Sequence, residues 1–114
     1  MKIRETIRNN LAILEIGGNL MGGSETKELH EKIRSLIEDE VINVVLNLQN
    51  VKWMNSSDLG ILITCMTTLK RVNGMLKLAN VTKKVESLLI ITQLNKIFDT
   101  YASIEDAVVS MSEE

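Results

Sequence analysis

Apolar and polar residues alternate with two different periods along this chain, and the points where the period changes mark its elements. From Lys2 to Arg8 the period is two, with Ile3 and Ile7 on one face and Lys2, Thr6 and Arg8 on the other. Leu11 to Ile16 repeats the strand signal. Asn9-Asn10 between them tolerates the positive φ of a two-residue hairpin turn, so these strands are predicted to pair antiparallel. After a glycine-rich stretch the period lengthens to that of a helix. Ser24 is its predicted N-cap, and Leu29, Ile33, Leu36 and Ile37 form its core stripe as it runs to about Asp39. Val41 to Leu48 is almost continuously apolar and β-branched, as expected of a central strand.

A second helix is predicted from Ser56, taken as its N-cap, to about Val72, with Lys70 and Arg71 near its negative end and Gly74 as the stop. With Leu59 at zero and about 100° per residue, Leu62, Cys65, Met66 and Leu69 cluster, while Ile61 and Ile63 fall on opposite flanks. That arc is wider than one sheet contact requires. Either the helix is wedged between neighbours or one flank is a partner surface. Met75 to Ala79 is a short strand, and Asn80 or Thr82 caps a third helix with Val85, Leu88 and Leu89 inward. Ile90 and Ile91 lie off that stripe, which points to an early helix end or a second contact surface. Lys96 to Tyr101 is predicted as the last strand, and Ser103 with Asp106 as a capping box for a terminal helix bearing Ile104, Ala107, Val108 and Met111. Residues 112–114 should fray. The order β-β-α-β-α-β-α-β-α over residues 1–114 predicts one α/β domain with a mixed sheet packed with helices.

Composition narrows the function classes. The 13 basic and 15 acidic residues give a net charge of -2, with one Phe, one Tyr and one Trp, which argues against direct nucleic-acid binding. No apolar run approaches the roughly 20 residues that span a bilayer, and Lys2, Arg4 and Glu5 fall where a signal peptide needs its apolar segment. The single Cys65 makes no internal disulfide and fits a reducing compartment, so the expected location is the cytoplasm. Its place on the buried side of the second helix makes it core filler.

Candidate chemistry is sparse. Gly17, Gly22 and Ser24 approach a phosphate-binding P-loop, but Gly23 stands where the lysine is needed, and the following strand lacks a terminal aspartate for magnesium. The only histidine, His30, has no Cys/His/Asp cluster around it, which leaves no metal site and an ordinary half-exposed side chain. The segment from Trp53 to Gly60 is different. Ser56 at a helix start is exposed and backed by N–H groups that welcome an anion. It has no activating base at a readable spacing, so no catalytic residue and no enzyme activity is assigned. Phosphorylation suits it better: a dianion there is tolerated by the helix dipole but blocks a partner docked on the adjoining apolar helix. Trp53 at the loop edge either anchors a partner or packs on its own domain.

The element order, the strand ending Val44-Val45-Leu46-Asn47-Leu48, the segment Trp53-Met54-Asn55-Ser56-Ser57-Asp58-Leu59-Gly60 and the later Leu94-Asn95-Lys96-Ile97-Phe98 resemble the STAS domain, and within it the bacterial anti-sigma factor antagonists. Gly18-Asn19-Leu20 is similar to that family's glycine-containing turn after the second strand. The resemblance implies that Ser56 is the phosphoacceptor of an Asp-Ser-Ser/Ala-Gly-Leu-Gly motif. Here Asn55 replaces the aspartate, and Asp58 replaces the glycine, adding a side chain where the family offers bare backbone. It also implies a partner switch. The unphosphorylated chain would bind an anti-sigma factor that is a serine kinase, phosphorylation would end the complex, and a serine phosphatase would reset it. ATP and magnesium belong to the kinase, with no cofactor on this chain. Gly18, Asn19, Leu20, Trp53, Asn55, Ser56, Ser57, Asp58, Gly60, Ile61 and Ile63 are the expected partner-binding residues. The alternative is a non-phosphorylated STAS scaffold or transporter-associated module.

Overall fold

The computed structural model describes residues 2–17 and 24–112. The elements are β1 (Lys2–Arg8), β2 (Leu11–Gly17), α1 (Ser24–Glu38), β3 (Asn43–Asn47), α2 (Ser56–Lys70), β4 (Met75–Ala79), α3 (Lys83–Ile91), a single 3-10 turn at Leu94–Lys96, β5 (Asp99–Tyr101) and α4 (Ile104–Ser112). They form a five-stranded sheet in the order β1-β2-β3-β4-β5, with β3 central. β1 and β2 pair antiparallel, with Arg8 opposite Leu11, and the later strands are parallel. Asn9 and Asn10 both have positive φ, at 51° and 65°, as a two-residue hairpin turn demands.

Alternation along the strands divides the core into two layers. Ala12, Leu14, Ile16, Val44, Leu46, Leu76 and Leu78 face α1, α2 and α3, while Leu11, Ile13, Val45 and Ala79 face α4 through Ala107 and Met111. Lys77 is buried on the α4 side. Its ammonium donates to the Tyr101 hydroxyl at 3.1 Å and lies 3.6 Å from the Asp99 carboxylate, which offsets the cost of removing the charge from water.

The second helix is wedged, which accounts for its wide apolar arc. Leu59, Leu62, Cys65, Met66 and Leu69 are buried, and the flanking Ile61 and Ile63 are half-buried against the same core. His30 on α1 is half-buried and within 2.9 Å of the Thr68 hydroxyl on α2. Burial pushes the Cys65 thiol up to about 12, so it is a filler and not a nucleophile.

Several details differ from the pattern of the sequence, among them β3, which spans Asn43–Asn47 and not Val41 to Leu48. The helix α2 does end beside Asn73-Gly74, but Asn73 takes the left-handed conformation, with φ 63°, while the Gly74 N–H donates to the Leu69 carbonyl at 2.8 Å. Gly74 is required for space, because a Cβ there would run into the Ile42 carbonyl oxygen. The last strand begins at Asp99 and not at Lys96. Gln93, with φ 63°, ends the run of α3, and the N–H groups of Ile97 and Phe98 are both taken by the Leu94 carbonyl, leaving none for the sheet. This turn delivers Phe98 into the core. Thr82 is the N-cap position of α3, but its hydroxyl donates to the Val51 carbonyl at 3.0 Å and does not cap. Ser103 fulfils half of its predicted box, accepting from the Asp106 N–H at 3.1 Å. The side chain of Ser24 lies outside the described residues.

Two measurements check this packing. Gly74→Ala should lower the unfolding free energy by about 1–3 kcal/mol, the usual cost of forced overpacking, read from urea denaturation. Cys65 should resist a thiol reagent at pH 8 in the folded chain and react at once in denaturant.

Candidate functional site

The site grows from the end of β3. Asn47 is buried, and its side-chain oxygen accepts from the Asn80 amide at 3.1 Å and from the Gln49 N–H at 3.2 Å. Beyond it the chain leaves the sheet but is not loose. Val51 and Met54 plug into the core, and Thr82 holds the Val51 carbonyl from the α3 side. These two apolar plugs fix where α2 can begin, because Met54 must point inward immediately before the helix.

Asn55, and not Ser56, is the N-cap. Its backbone is extended, at φ -93° and ψ -179°. Its side-chain oxygen accepts from the Asp58 N–H at 2.8 Å, and the Asp58 carboxylate accepts from the Asn55 N–H at 3.0 Å. This is a reciprocal capping box, here with Asn and Asp in the two roles. The expectation that Asp58 adds a side chain to the partner-facing surface is therefore corrected. Asp58 is fully buried, with its second carboxylate oxygen lacking a hydrogen-bond partner. Its charge sits in the first turn, where the helix dipole favours it.

The consequence falls on the two serines. Ser56 and Ser57 occupy the first two helical positions, both exposed, and the hydroxyl of Ser56 makes no hydrogen bond among the described residues. Since the box satisfies the N–H of the third position, the first-turn donors at Ser56 and Ser57 are left for solvent or an anion. One turn further, Gly60 is exposed, and a Cβ added there would meet open space.

Trp53 turns outward from the loop, 43% exposed, and lines an open apolar groove of about 390 Å³ with Leu88 and Ile91 of α3 and with Lys83 and Lys84 at its edge. Sequence reasoning did not find this groove, although the off-stripe Ile90 and Ile91 were its signal: α3 continues through both, and both are exposed. Nor did it find Asn47, whose polarity inside an apolar strand marked it. The structure brings Trp53, Asn55, Ser56, Ser57, Asp58 and Gly60 to one corner, with Ile61 and Ile63 on the flanks of the helix that leaves it. Gly18, Asn19 and Leu20, with the rest of the glycine-rich segment, lie outside the described residues. Among the described residues no group of three His, Cys, Asp or Glu side chains is placed to hold a metal, and no helix is long and apolar enough to cross a membrane.

A model of the STAS domain family matches residues 2–107. This chain belongs to that family. Solved structures share its fold over nearly the whole chain. SpoIIAA, an anti-sigma factor antagonist in its unphosphorylated form, is 19% identical with a TM-score of 0.82, covering 99% of this chain and 98% of its own. Bacillus SpoIIAA in its phosphorylated form is 18% identical with a TM-score of 0.74 and covers 96% and 99%. An anti-sigma factor antagonist from Mycobacterium paratuberculosis is 18% identical with a TM-score of 0.80 and covers 96% and 92%. A STAS fold is also similar to part of the murine anion transporter Slc26a9, at 13% identity and a TM-score of 0.77, covering 92% of this chain and 18% of the transporter.

In this STAS domain the departures Asn55 and Asp58 put the carboxylate after the serines in place of before them, and the two side chains form the cap. Asn55→Ala should cost about 1 kcal/mol of stability, measured by urea denaturation. In a double-mutant cycle, Asp58→Ala added to it should cost clearly less than it does alone, because the two side chains form one box.

Proposed function

We propose that this STAS domain is an anti-sigma factor antagonist that binds an anti-sigma factor with serine kinase activity, in a partner switch set by phosphorylation of Ser56. The observation that carries the reading is the division of labour at the start of α2. Capping is done by Asn55 and Asp58, so Ser56 is exposed and its hydroxyl makes no hydrogen bond among the described residues. A phosphate there adds about -1.5 to -2 charge beside free N–H groups, which accommodate it without loss of a structural hydrogen bond. A partner lying against the first turns of α2 must instead desolvate that charge.

Binding extends from the Ser56 corner along the flanks of α2. Trp53, Asn55, Ser56, Ser57, Gly60, Ile61 and Ile63 contribute, with Gly18, Asn19 and Leu20 from the glycine-rich segment, while Asp58 acts from below through the cap. The domain carries no catalytic residue or cofactor in this reading. ATP and magnesium are bound by the kinase, a serine phosphatase restores the unphosphorylated form, and the cycle runs in the cytoplasm. The similarity to part of an anion transporter favours a second reading, a STAS module that associates with a larger protein without phosphorylation.

Incubation with the cognate kinase and ATP should add one phosphate, placed at Ser56 by peptide mass spectrometry, and Ser56→Ala should take up none. Modification elsewhere only, or a stable complex indifferent to Ser56→Ala and Ser56→Asp, would support the second reading. Gly60→Ala separates fold from binding: it should raise stability by about 0.5–1 kcal/mol, as a helical glycine replaced in open space, while weakening the complex if the partner approaches the bare backbone.

A further inference from the structure

We propose that the groove between Trp53 and α3 is a second docking site, which takes an amphipathic helix of a protein partner that is apolar along one face and carries carboxylates beside it. This site goes beyond the Ser56 switch: it shares Trp53 with the surface proposed for that switch, and its other contacts lie on α3.

Two features of the groove point to that occupant. Its floor is apolar and open: Trp53 is 43% exposed and Ile91 78% exposed, with Leu88 half-buried between them. Exposed isoleucine and tryptophan converging on one hollow are unusual on a surface that meets only water. Its edge is cationic. Lys83 and Lys84 line the groove, both are exposed, and neither makes an ion pair or side-chain hydrogen bond among the described residues. They also occupy the first turn of α3, where the helix dipole disfavours positive charge. A carboxylate brought over the groove relieves both conditions, while the lysine stems add apolar contact below their charged heads.

Charge and apolar area select the occupant. An α-helix presents apolar anchors at i, i+3 or i+4 and i+7, which can cover an open groove of about 390 Å³ while its flanking carboxylates meet Lys83 and Lys84. Two lysines on a chain of net charge -2 are a weak attraction for an anionic membrane.

The chain supplies its own reporter, since Trp53 is its only tryptophan. The full chain is titrated with a tryptophan-free peptide of about 18 residues, leucines at helical spacing flanked by glutamates, and separately with the same peptide bearing lysines for glutamates, with dodecanoate, and with phosphatidylglycerol vesicles. The glutamate peptide should shift Trp53 emission to shorter wavelength saturably, and the other three should not. Lys83→Glu with Lys84→Glu should weaken the glutamate peptide roughly tenfold and turn preference to the lysine peptide. Ile91→Asp, exposed and so harmless to folding as checked by circular dichroism, should remove the response. Ser56→Ala and Ser56→Asp should leave it unchanged, so failure here is separate from failure of the phosphorylation reading. Equal response to both peptides, a response to dodecanoate or vesicles in place of the peptide, or binding that survives Ile91→Asp overturns the proposal.

Discussion

Two reciprocal hydrogen bonds between Asn55 and Asp58 decide what the functional corner of this STAS domain presents to solvent. By holding each other's backbone N–H, these side chains put the N-cap of α2 one residue before Ser56 and turn the only carboxylate of the first turn inward. The serines are then left at the surface. A chain capped by Ser56 itself would have its hydroxyl oxygen occupied by the backbone, a poorer arrangement for the modification proposed there. The inward carboxylate has one unpartnered oxygen, and burying such a group costs of order 1–3 kcal/mol. That cost is borne at the corner where function is proposed, in keeping with the tendency of local rules to be broken at functional sites.

The cap depends in turn on the sheet. β3 is central, its neighbours are parallel, and its C-terminal end is held by Asn47 through Asn80 and Gln49. Val51 and Met54 then anchor the connecting loop in the core, with Thr82 reaching across from the start of α3. The loop is therefore tied to the core and to the β4–α3 connection before α2 begins. On the proposed reading, such a platform lets a charge change at Ser56 alter binding without altering the fold, because the Ser56 hydroxyl makes no hydrogen bond among the described residues.

Much of this was legible in the sequence, and what was not has physical reasons. The Asn9-Asn10 hairpin, the apolar β3 and the stripes of α1 and α2 are local signals of periodicity and turn chemistry, and they survive in the structure. The identity of the cap was not legible, because Asn55, Ser56, Ser57 and Asp58 are all good capping residues and the choice among them is made by Met54, which must enter the core. The start of β5 was misread because Lys96 to Tyr101 alternates like a strand, while the Leu94 carbonyl captures the N–H groups that a strand would need. Gly74 looked like a conformational stop, and its true constraint is the nearness of Ile42, a contact between distant parts of the chain. The Trp53 groove likewise joins a loop to a helix about thirty residues later, so no window of sequence contains it. The wide arc of α2 left two explanations open: packing wedges the helix, and the half-buried Ile61 and Ile63 keep part of each flank at the surface.

The central claim is that a phosphate on Ser56 changes binding and not the fold. The most direct measurement is the affinity of the chain for the proposed anti-sigma kinase by titration calorimetry, before and after stoichiometric phosphorylation, with an amide NMR spectrum of each form. The account predicts an affinity loss of about 100-fold or more, roughly 2.7 kcal/mol, with spectral changes confined to the loop and the first turns of α2. Unchanged affinity, or a loss accompanied by changes throughout the core, would contradict it.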